Sequence, residues 1–381
     1  MILLVSTTIR GVPAKEKSGY VYSIDFENQK ILKRSQIIEP PHREVDANPR
    51  GGMRGSKGIA INQDQIAIAN TSSIFLYDLE WNLIREISHP SCAGIHDIMF
   101  QGDTIWATAA RSDMIFQFDF EGNLLDYFYF REPDSIRQDL SWRPPLKLDA
   151  DQVLSGKIDF RDPLTYEIET YDNAHVNSIC QLRDGDFLVS LGLVLDSGFL
   201  NLLRIKSWFR KRGLWNRALD LNRKLRGFLG LGKMMHSDLI FQPARGRSAI
   251  VRLSKERTTK VILKLEQKLV PGHSLITLPN GYVVYLDTTE GKIIEFDPDS
   301  GNMIESTKVT EGFLRGVTLV PENKLVLGSD GDLLVFDRVK GCLLSTMQIT
   351  DIPRESVFGI ENLPSNYELP PKFLGNTTFG G

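Results

Sequence analysis

The chain has 381 residues, of which 41% are hydrophobic and 24% charged, and its formal net charge is −3 at pH 7. This composition is typical of a soluble globular protein, and the charge argues against a nucleic-acid binder. The three cysteines are far apart and show no paired spacing, and the first residues, MILLVSTT, do not form a signal peptide, so we expect a cytoplasmic protein without a disulfide framework.

Four segments of the chain repeat one pattern, in which turn residues divide four short apolar runs. They begin at Ser56, Gly94, His273 and Leu314, and neighbouring segments are spaced by about 40 residues. In each segment the third apolar run leads to an acidic residue. Four strands per unit at this period are typical of a β-propeller blade.

A fifth unit, which begins at His175, is interrupted. Its first two strands are predicted within 178–191, its third in 246–254 and its fourth in 260–266. Residues 196–244 therefore form an insert between its second and third strands. A second insert, 131–173, precedes this unit, and its prolines and acidic residues indicate a loop or cap.

The two ends of the chain supply the sixth unit. Apolar runs at 2–6, 19–26 and 30–37 provide three strands, and 356–363 resembles the first strand of the other units. Pairing these strands would close the ring and protect the sheet edges. We therefore predict an all-β fold, a single six-bladed propeller over 1–363, followed by an extended tail, 364–381.

The first strand of each propeller blade lines the central channel, so residues at its start converge on the mouth. In approximate register, three of the six histidines, His96, His175 and His273, fall at this position on successive blades. Such a mouth favours a small anionic ligand or a metal-bound one. The alternative is a polar channel whose side chains only bond neighbouring backbone. The candidate ligand-binding residues beside the histidines are Arg54, Lys57, Asn177 and Arg315.

Four short motifs resemble segments of the bacterial arylsulfate sulfotransferases, which are six-bladed propellers. The motifs are HVNS at 175–178, HSLITLPNGYVVYLD at 273–287, ARGRSAIVRL at 244–253 and HDIMFQGDTIW at 96–106. The resemblance implies that His273 attacks sulfur as a neutral imidazole and carries the sulfuryl group. It also implies that His175 and Arg245 stabilise charge on the sulfuryl oxygens, and that His96 is the acid or base for the phenol. No cofactor is needed for this reaction.

A second enzymatic interpretation uses the same three histidines as ligands of one divalent metal ion. Three imidazoles leave one coordination position open for water or substrate, as in catalytic metal sites. The protein would then be a lyase or hydrolase. The sequence does not separate these two interpretations, because both require His96, His175 and His273 to converge on the channel axis.

A third interpretation is a non-catalytic binding or scaffold protein. Residues 203–233, the basic segment, contain ten Lys or Arg and one Asp, a net charge of +9 that leaves −12 for the rest of the chain. Leu214, Ala218, Leu221, Leu225 and Phe228 share one face of a predicted helix. A basic amphipathic helix suits an anionic membrane surface or an acidic protein partner, which would make the protein peripheral to a membrane.

Overall fold

The computed structural model describes most of the chain. The described residues are 1–9, 18–36, 55–144, 148–162, 165–167, 172–194, 246–267, 272–288, 290–365 and 367–374, with single positions at 208, 212, 214, 217, 221 and 224. Within these residues the chain forms twenty-four strands and two short helices. Arg54, Arg245 and most of the basic segment lie outside the described residues.

The strands form six antiparallel sheets of four, as the sequence predicts, and each sheet is one blade. Blade 1 consists of β24 (Glu355–Asn362), β1 (Ile2–Ile9), β2 (Tyr20–Asp25) and β3 (Lys30–Gln36), and blade 2 of β4 (Ile59–Ile61), β5 (Gln65–Ala69), β6 (Ile74–Asp78) and β7 (Leu83–Ile87). Blade 3 consists of β8 (Ile95–Gln101), β9 (Thr104–Ala109), β10 (Met114–Asp119) and β11 (Leu124–Tyr129), and blade 4 of β12 (Val176–Gln181), β13 (Phe187–Val194), β14 (Gly246–Leu253) and β15 (Thr259–Gln267). Blade 5 consists of β16 (His273–Thr277), β17 (Val283–Asp287), β18 (Lys292–Phe296) and β19 (Met303–Lys308), and blade 6 of β20 (Leu314–Val320), β21 (Lys324–Ser329), β22 (Asp332–Asp337) and β23 (Cys342–Gln348).

The two ends of the chain close the ring in blade 1. Strand β24 pairs antiparallel with β1, so that Leu3 lies opposite Asn362 and Ile9 opposite Glu355. Strand β24 also contacts β4 of blade 2 and β20 of blade 6. The predicted closure is therefore confirmed, and β24 completes a ring of six innermost strands around the axis.

The hydrophobic core lies between the blades. One cluster joins blades 2 and 3 around Phe116 and Ile105, and another joins blades 3 and 4 around Phe130 and Val189. Such clusters form because a strand that is buried on both faces carries apolar side chains on both. This packing holds each innermost strand at a fixed distance from the axis.

Aspartates close the turns between the third and fourth strands of the blades. Asp78 accepts hydrogen bonds from the backbone N–H groups of Glu80 and Asn82, and Asp337 accepts from those of Val339 and Lys340. A short acidic side chain that bonds its own backbone two residues on is a common turn device. This explains the acidic residue that ends the third apolar run of the repeat.

The insert between blades 3 and 4 carries the two helices, α1 (Asp134–Asp139) and α2 (Ala150–Leu154). Helix α1 packs against β15, and the Asp149 side chain caps α2 in a capping box with Gln152. None of the helices formed by the described residues has the length and apolar character that a membrane crossing requires.

The chain after β24 packs across blades 1 and 2. Phe373 is buried and its ring meets Trp81 edge-on at 4.7 Å, and the Trp81 indole N–H donates to the Tyr367 hydroxyl. The Lys33 ammonium donates to the backbone oxygens of Pro370 and Pro371. These contacts tie the described part of the tail to the outside of the ring.

Candidate functional site

The innermost strands of five blades carry a β-bulge near their start. The pairing register shifts in β8, β12, β16, β20 and between β1 and β24. An extra residue in one strand bends it and re-aims its side chain, and bulges are over-represented beside active sites. The residues left over at the bulges all line the channel: His96, Asp97, Asn177, Ser274, Gly316 and Phe358.

The structure brings His96, His175 and His273 together at the axis, and we call them the histidine cluster. Each has a ring nitrogen that lies within 4.8 Å of a ring nitrogen of the others. The His96 ring lies edge-on to His175, with centroids 4.7 Å apart, and nearly parallel to His273, with centroids 5.8 Å apart. All three side chains are buried, so any ligand that reaches them loses its own water.

Hydrogen bonds define the protonation state of His273. Its Nε2 lies 2.6 Å from an Nη2 of Arg315, and its Nδ1 lies 3.1 Å from the Thr288 hydroxyl oxygen. A guanidinium has donors and no acceptor, so Nε2 must accept and carries no proton. The proton is therefore on Nδ1, which donates to Thr288, and His273 is a neutral imidazole with its lone pair on Nε2.

His175 has a carboxylate partner. Its Nδ1 lies 2.8 and 3.0 Å from the two oxygens of Asp172. A carboxylate only accepts, so Nδ1 carries the proton and Nε2 is the nitrogen left for the cluster. His175 has a φ of 51°, in the left-handed region that a non-glycine residue adopts only where its surroundings hold it.

His96 is neutral. Burial, and then the charge of Lys57 and the other basic side chains of the site, hold its pKa well below the usual value. Its Nδ1 is buried, and no hydrogen-bond partner for it occurs in the part of the chain that the structure describes. A buried ring nitrogen in this state is suited to a group that arrives with a ligand.

Two cations and two aromatic rings border the cluster. The Arg315 guanidinium carbon lies 4.2 Å from the centre of the Phe358 ring and 5.0 Å from that of Phe313. The Lys57 ammonium, on a side chain that is 2% exposed, lies 5.6 Å from the Phe358 ring. Two basic side chains at this depth favour an anion beside the histidines.

The cavity below the cluster is small. It has a volume of about 50 Å³ and extends past Asn177 to Asp97 and Glu361. Burial raises the pKa of Asp97 to about 6, and burial with the charge of Asp97 raises that of Glu361 to about 8. Sites for drug-sized ligands enclose roughly 300–1,000 Å³, so this channel accepts an ion or the charged end of a larger molecule.

Of the remaining predicted site residues, the structure describes Asn177 but not the two arginines. Asn177 lines the cavity and donates from its amide nitrogen to the backbone oxygen of Gly272, whereas Arg54 and Arg245 lie outside the described residues. Sequence reasoning missed Asp172 and Thr288. Asp172 stands three residues before His175, a spacing that could have drawn attention to it, while nothing local distinguishes Thr288.

No protein-family model and no curated protein matches this chain. Among solved structures, it is similar to a protein of unknown function from Bacteroides caccae and to a chain of a nidogen/laminin complex, each with a TM-score of 0.50, 10% identity, and coverage of 94% of this chain and 97% of that one. A virginiamycin B lyase from Staphylococcus aureus has a TM-score of 0.44 at 12% identity, with 79% of this chain and 72% of the other covered. At these identities the likenesses concern the fold alone, which is a six-bladed β-propeller.

Proposed function

We propose that this propeller is a group-transfer enzyme that binds the sulfate group of a small substrate at the histidine cluster and transfers it through His273. The observation that carries the proposal is the state of His273. Its Nε2 holds a lone pair at 2.6 Å from the Arg315 guanidinium. A neutral nucleophile is thus placed beside an anion-binding group, which is what in-line attack on a sulfate ester requires.

In the first step the substrate sulfate displaces the guanidinium of Arg315 from Nε2, and Arg315 binds the sulfate oxygens instead. Nε2 of His273 attacks sulfur, the bond between sulfur and the ester oxygen breaks, and the electron pair leaves with that oxygen. The products are a sulfuryl group on His273 and a phenolate or alkoxide, which takes up a proton from solvent. Thr288 accepts the Nδ1–H hydrogen bond throughout, and this bond supports the charge that develops on the ring.

The other residues of the site have distinct parts in this proposal. Lys57 and Arg315 stabilise the negative charge of the sulfuryl oxygens. His96 offers Nδ1, which lacks a described partner, to the leaving oxygen. Because the channel is small, an aromatic body would stay outside it while its sulfate reaches the histidines. Asn177 binds the sulfate group at the channel wall, and Arg54 and Arg245 remain proposed ligands of the same sulfate.

The test is transfer from 4-nitrophenyl sulfate to phenol, followed as release of 4-nitrophenolate. We expect acceptor-dependent release by the purified protein, a protein mass increased by one sulfuryl group without acceptor, and neither with His273→Ala. His89→Ala is the matched control, since His89 lies against Phe116 and Phe118, away from the cluster. Equal release by His273→Ala, or no transfer by the unaltered protein, would overturn the proposal.

A metal-dependent lyase or hydrolase is the second candidate, because three histidine nitrogens lie within 4.8 Å of one another. One divalent ion on His96, His175 and His273 would keep a position open for water. It would have to displace Arg315 from His273 and sit close to Lys57, which opposes it electrostatically. Elemental mass spectrometry decides the matter, since stoichiometric metal that is lost in all three alanine variants establishes this candidate.

We also propose that the basic segment binds an anionic membrane surface, and the non-catalytic interpretation rests on it. Trp208 and Leu221 are exposed there, and Arg212 lies 4.0 Å from the centre of the Trp208 ring. Binding through exposed charges weakens with salt. We expect co-sedimentation with phosphatidylserine vesicles at low salt, and its loss when Arg212, Arg217 and Lys224 are changed to Gln. Equal sedimentation of both proteins, or none, would overturn membrane binding.

A further inference from the structure

We infer that Asp172 and His175 form a dyad in which His175 is the general base for the acceptor hydroxyl and Asp172 is its positioning residue. The inference rests on the proposed transfer reaction and assigns its second step. The geometry behind it is the contact of both Asp172 oxygens with Nδ1 of His175, at 2.8 and 3.0 Å. This contact holds the proton on Nδ1 and presents the lone pair of Nε2 to the cluster.

The backbone around the dyad is strained and held from outside. Asp172 and His175 both have positive φ, 45° and 51°. Non-glycine residues adopt this conformation at a cost, and two of them within four residues persist only where other contacts impose them. The backbone N–H of Asp172 donates to the Arg111 carbonyl, and the His175 carbonyl accepts from Gly192.

A buried ion pair beside blade 3 holds Asn173 and Ala174, the two residues that lie between Asp172 and His175. Asp113, fully buried in the turn between β9 and β10, accepts from the backbone N–H of Asn173 at 2.9 Å and from that of Ala174 at 2.8 Å. Arg131 donates to the same carboxylate from Nε at 2.7 Å and Nη2 at 2.6 Å. Blade 3 therefore clamps the loop that enters blade 4, and the clamp determines where the dyad stands.

The dyad differs from the arrangement at His273. The His273 ring bonds a hydroxyl and a guanidinium, which suits a nucleophile that must stay neutral. The His175 ring bonds a carboxylate, which suits a base, because the carboxylate stabilises the imidazolium that forms when the ring takes a proton. The centroids of the two rings are 6.2 Å apart, so one oxygen between them can contact both.

The second step transfers the sulfuryl group from His273 to the acceptor. The acceptor hydroxyl gives its proton to Nε2 of His175 while its oxygen attacks the sulfuryl group on His273. The oxygen–sulfur bond forms, the nitrogen–sulfur bond breaks, and its electron pair returns to Nε2 of His273. The proton on His175 then leaves to solvent or to the next leaving group.

The experiment compares Asp172→Asn with the unaltered protein. The amide keeps the shape of the side chain but can donate to Nδ1, which moves the ring proton to Nε2 and removes the base. We expect the first burst of 4-nitrophenolate, one per protein, to remain, and phenol-dependent turnover to fall on the order of 10²-fold or more. Asp126→Asn is the matched control, because it removes a partly exposed carboxylate of blade 3 that pairs with Arg257 of blade 4, and it should behave as the unaltered protein.

A second readout is independent of turnover. Nitrogen-15 NMR of the histidine rings reports which nitrogen carries the proton, and we expect the Nδ1–H form of His175 in the unaltered protein and its loss in Asp172→Asn. An unchanged tautomer with unchanged turnover would overturn the dyad. Absence of the burst from the unaltered protein would instead overturn the proposed transfer, while the tautomer would still decide whether Asp172 positions His175.

Discussion

The innermost and outermost strands of the blades differ in regularity and in what they bury. Five of the six innermost strands carry a bulge, and the innermost strands bury polar side chains such as His96, Asn177 and Arg315. The outermost strands instead expose apolar pairs near their start, among them Leu83–Ile84 and Leu343–Leu344, which are 43–50% exposed. Polar side chains are therefore buried at the axis, whereas apolar side chains are exposed at the rim. This is the reverse of the usual arrangement, in which apolar side chains lie inside and polar ones outside.

Geometry explains the difference. Six equivalent positions near the axis are close neighbours, so side chains from several blades meet there, whereas equivalent positions on the rim are far apart. A side chain at the axis therefore acts together with others, and one on the rim acts alone. We expect changes in the innermost strands to have large effects on stability and function, and changes in the outermost strands to have small ones.

The largest effect should come from removing the strand that closes the ring. Deleting all residues after Ile352 removes β24, which buries Val357, Phe358 and Ile360 to 5% exposure or less. Each such side chain contributes ~1.5–3 kcal/mol, so several kcal/mol should be lost. Urea unfolding measures this, and an unchanged midpoint would mean that β24 does not support the ring.

Replacing a glycine by alanine adds one methyl group, and two glycines with similar φ allow this change to be compared at the axis and at the rim. Gly316, at a bulge of β20, has φ 75°, and an added Cβ would lie 3.1 Å from the Phe358 backbone oxygen; Gly341, before β23, has φ 64° and open space around it. Alanine costs about 1–2 kcal/mol at each for the left-handed conformation. Gly316→Ala should cost more, because Phe358 must also move, and equal shifts in thermal midpoint would contradict the distinction.

The pH dependence of stability should carry a contribution from the axis. The pKa of Glu361 is raised to about 8 in the folded protein, above the unfolded value of about 4.3. The stability that the protonated Glu361 contributes is therefore fully present below the unfolded pKa of about 4.3. It is lost as pH rises towards 8, by at most about 1.4 kcal/mol per pH unit. Glu361→Gln should lack this loss in urea unfolding between pH 5 and 8. Parallel curves for the two proteins would show that Glu361 titrates normally.

The smallest effect is expected on the rim. Leu343 of β23 is 44% exposed, and Leu343→Ser removes little buried surface, so the free energy of unfolding should change by less than about 0.5 kcal/mol. Thermal unfolding of Leu343→Ser and of the protein truncated after Ile352, measured together, compares the smallest expected effect with the largest. A loss of more than about 2 kcal/mol from Leu343→Ser would mean that the rim strands are covered in solution.

The sequence by itself determined the six blades, their closure by the chain ends, and the presence of three histidines near the starts of innermost strands. These features are local, because strand length, turn residues and the repeat period can be read along the chain. The closure follows from counting, since a ring of four-stranded blades cannot leave one blade with three strands.

Only the tertiary structure decided which side chains meet at the axis and in what state. Side chains alternate between the two faces of a strand, so a bulge of one residue changes which of them faces the channel, and register known to one or two residues cannot resolve this. Phe358 reaches the channel for that reason. The bond from Arg315 to His273 and the clamp of Asp113 on the loop before His175 join different blades. Contacts of this kind depend on how the blades pack, and no spacing along the chain encodes them.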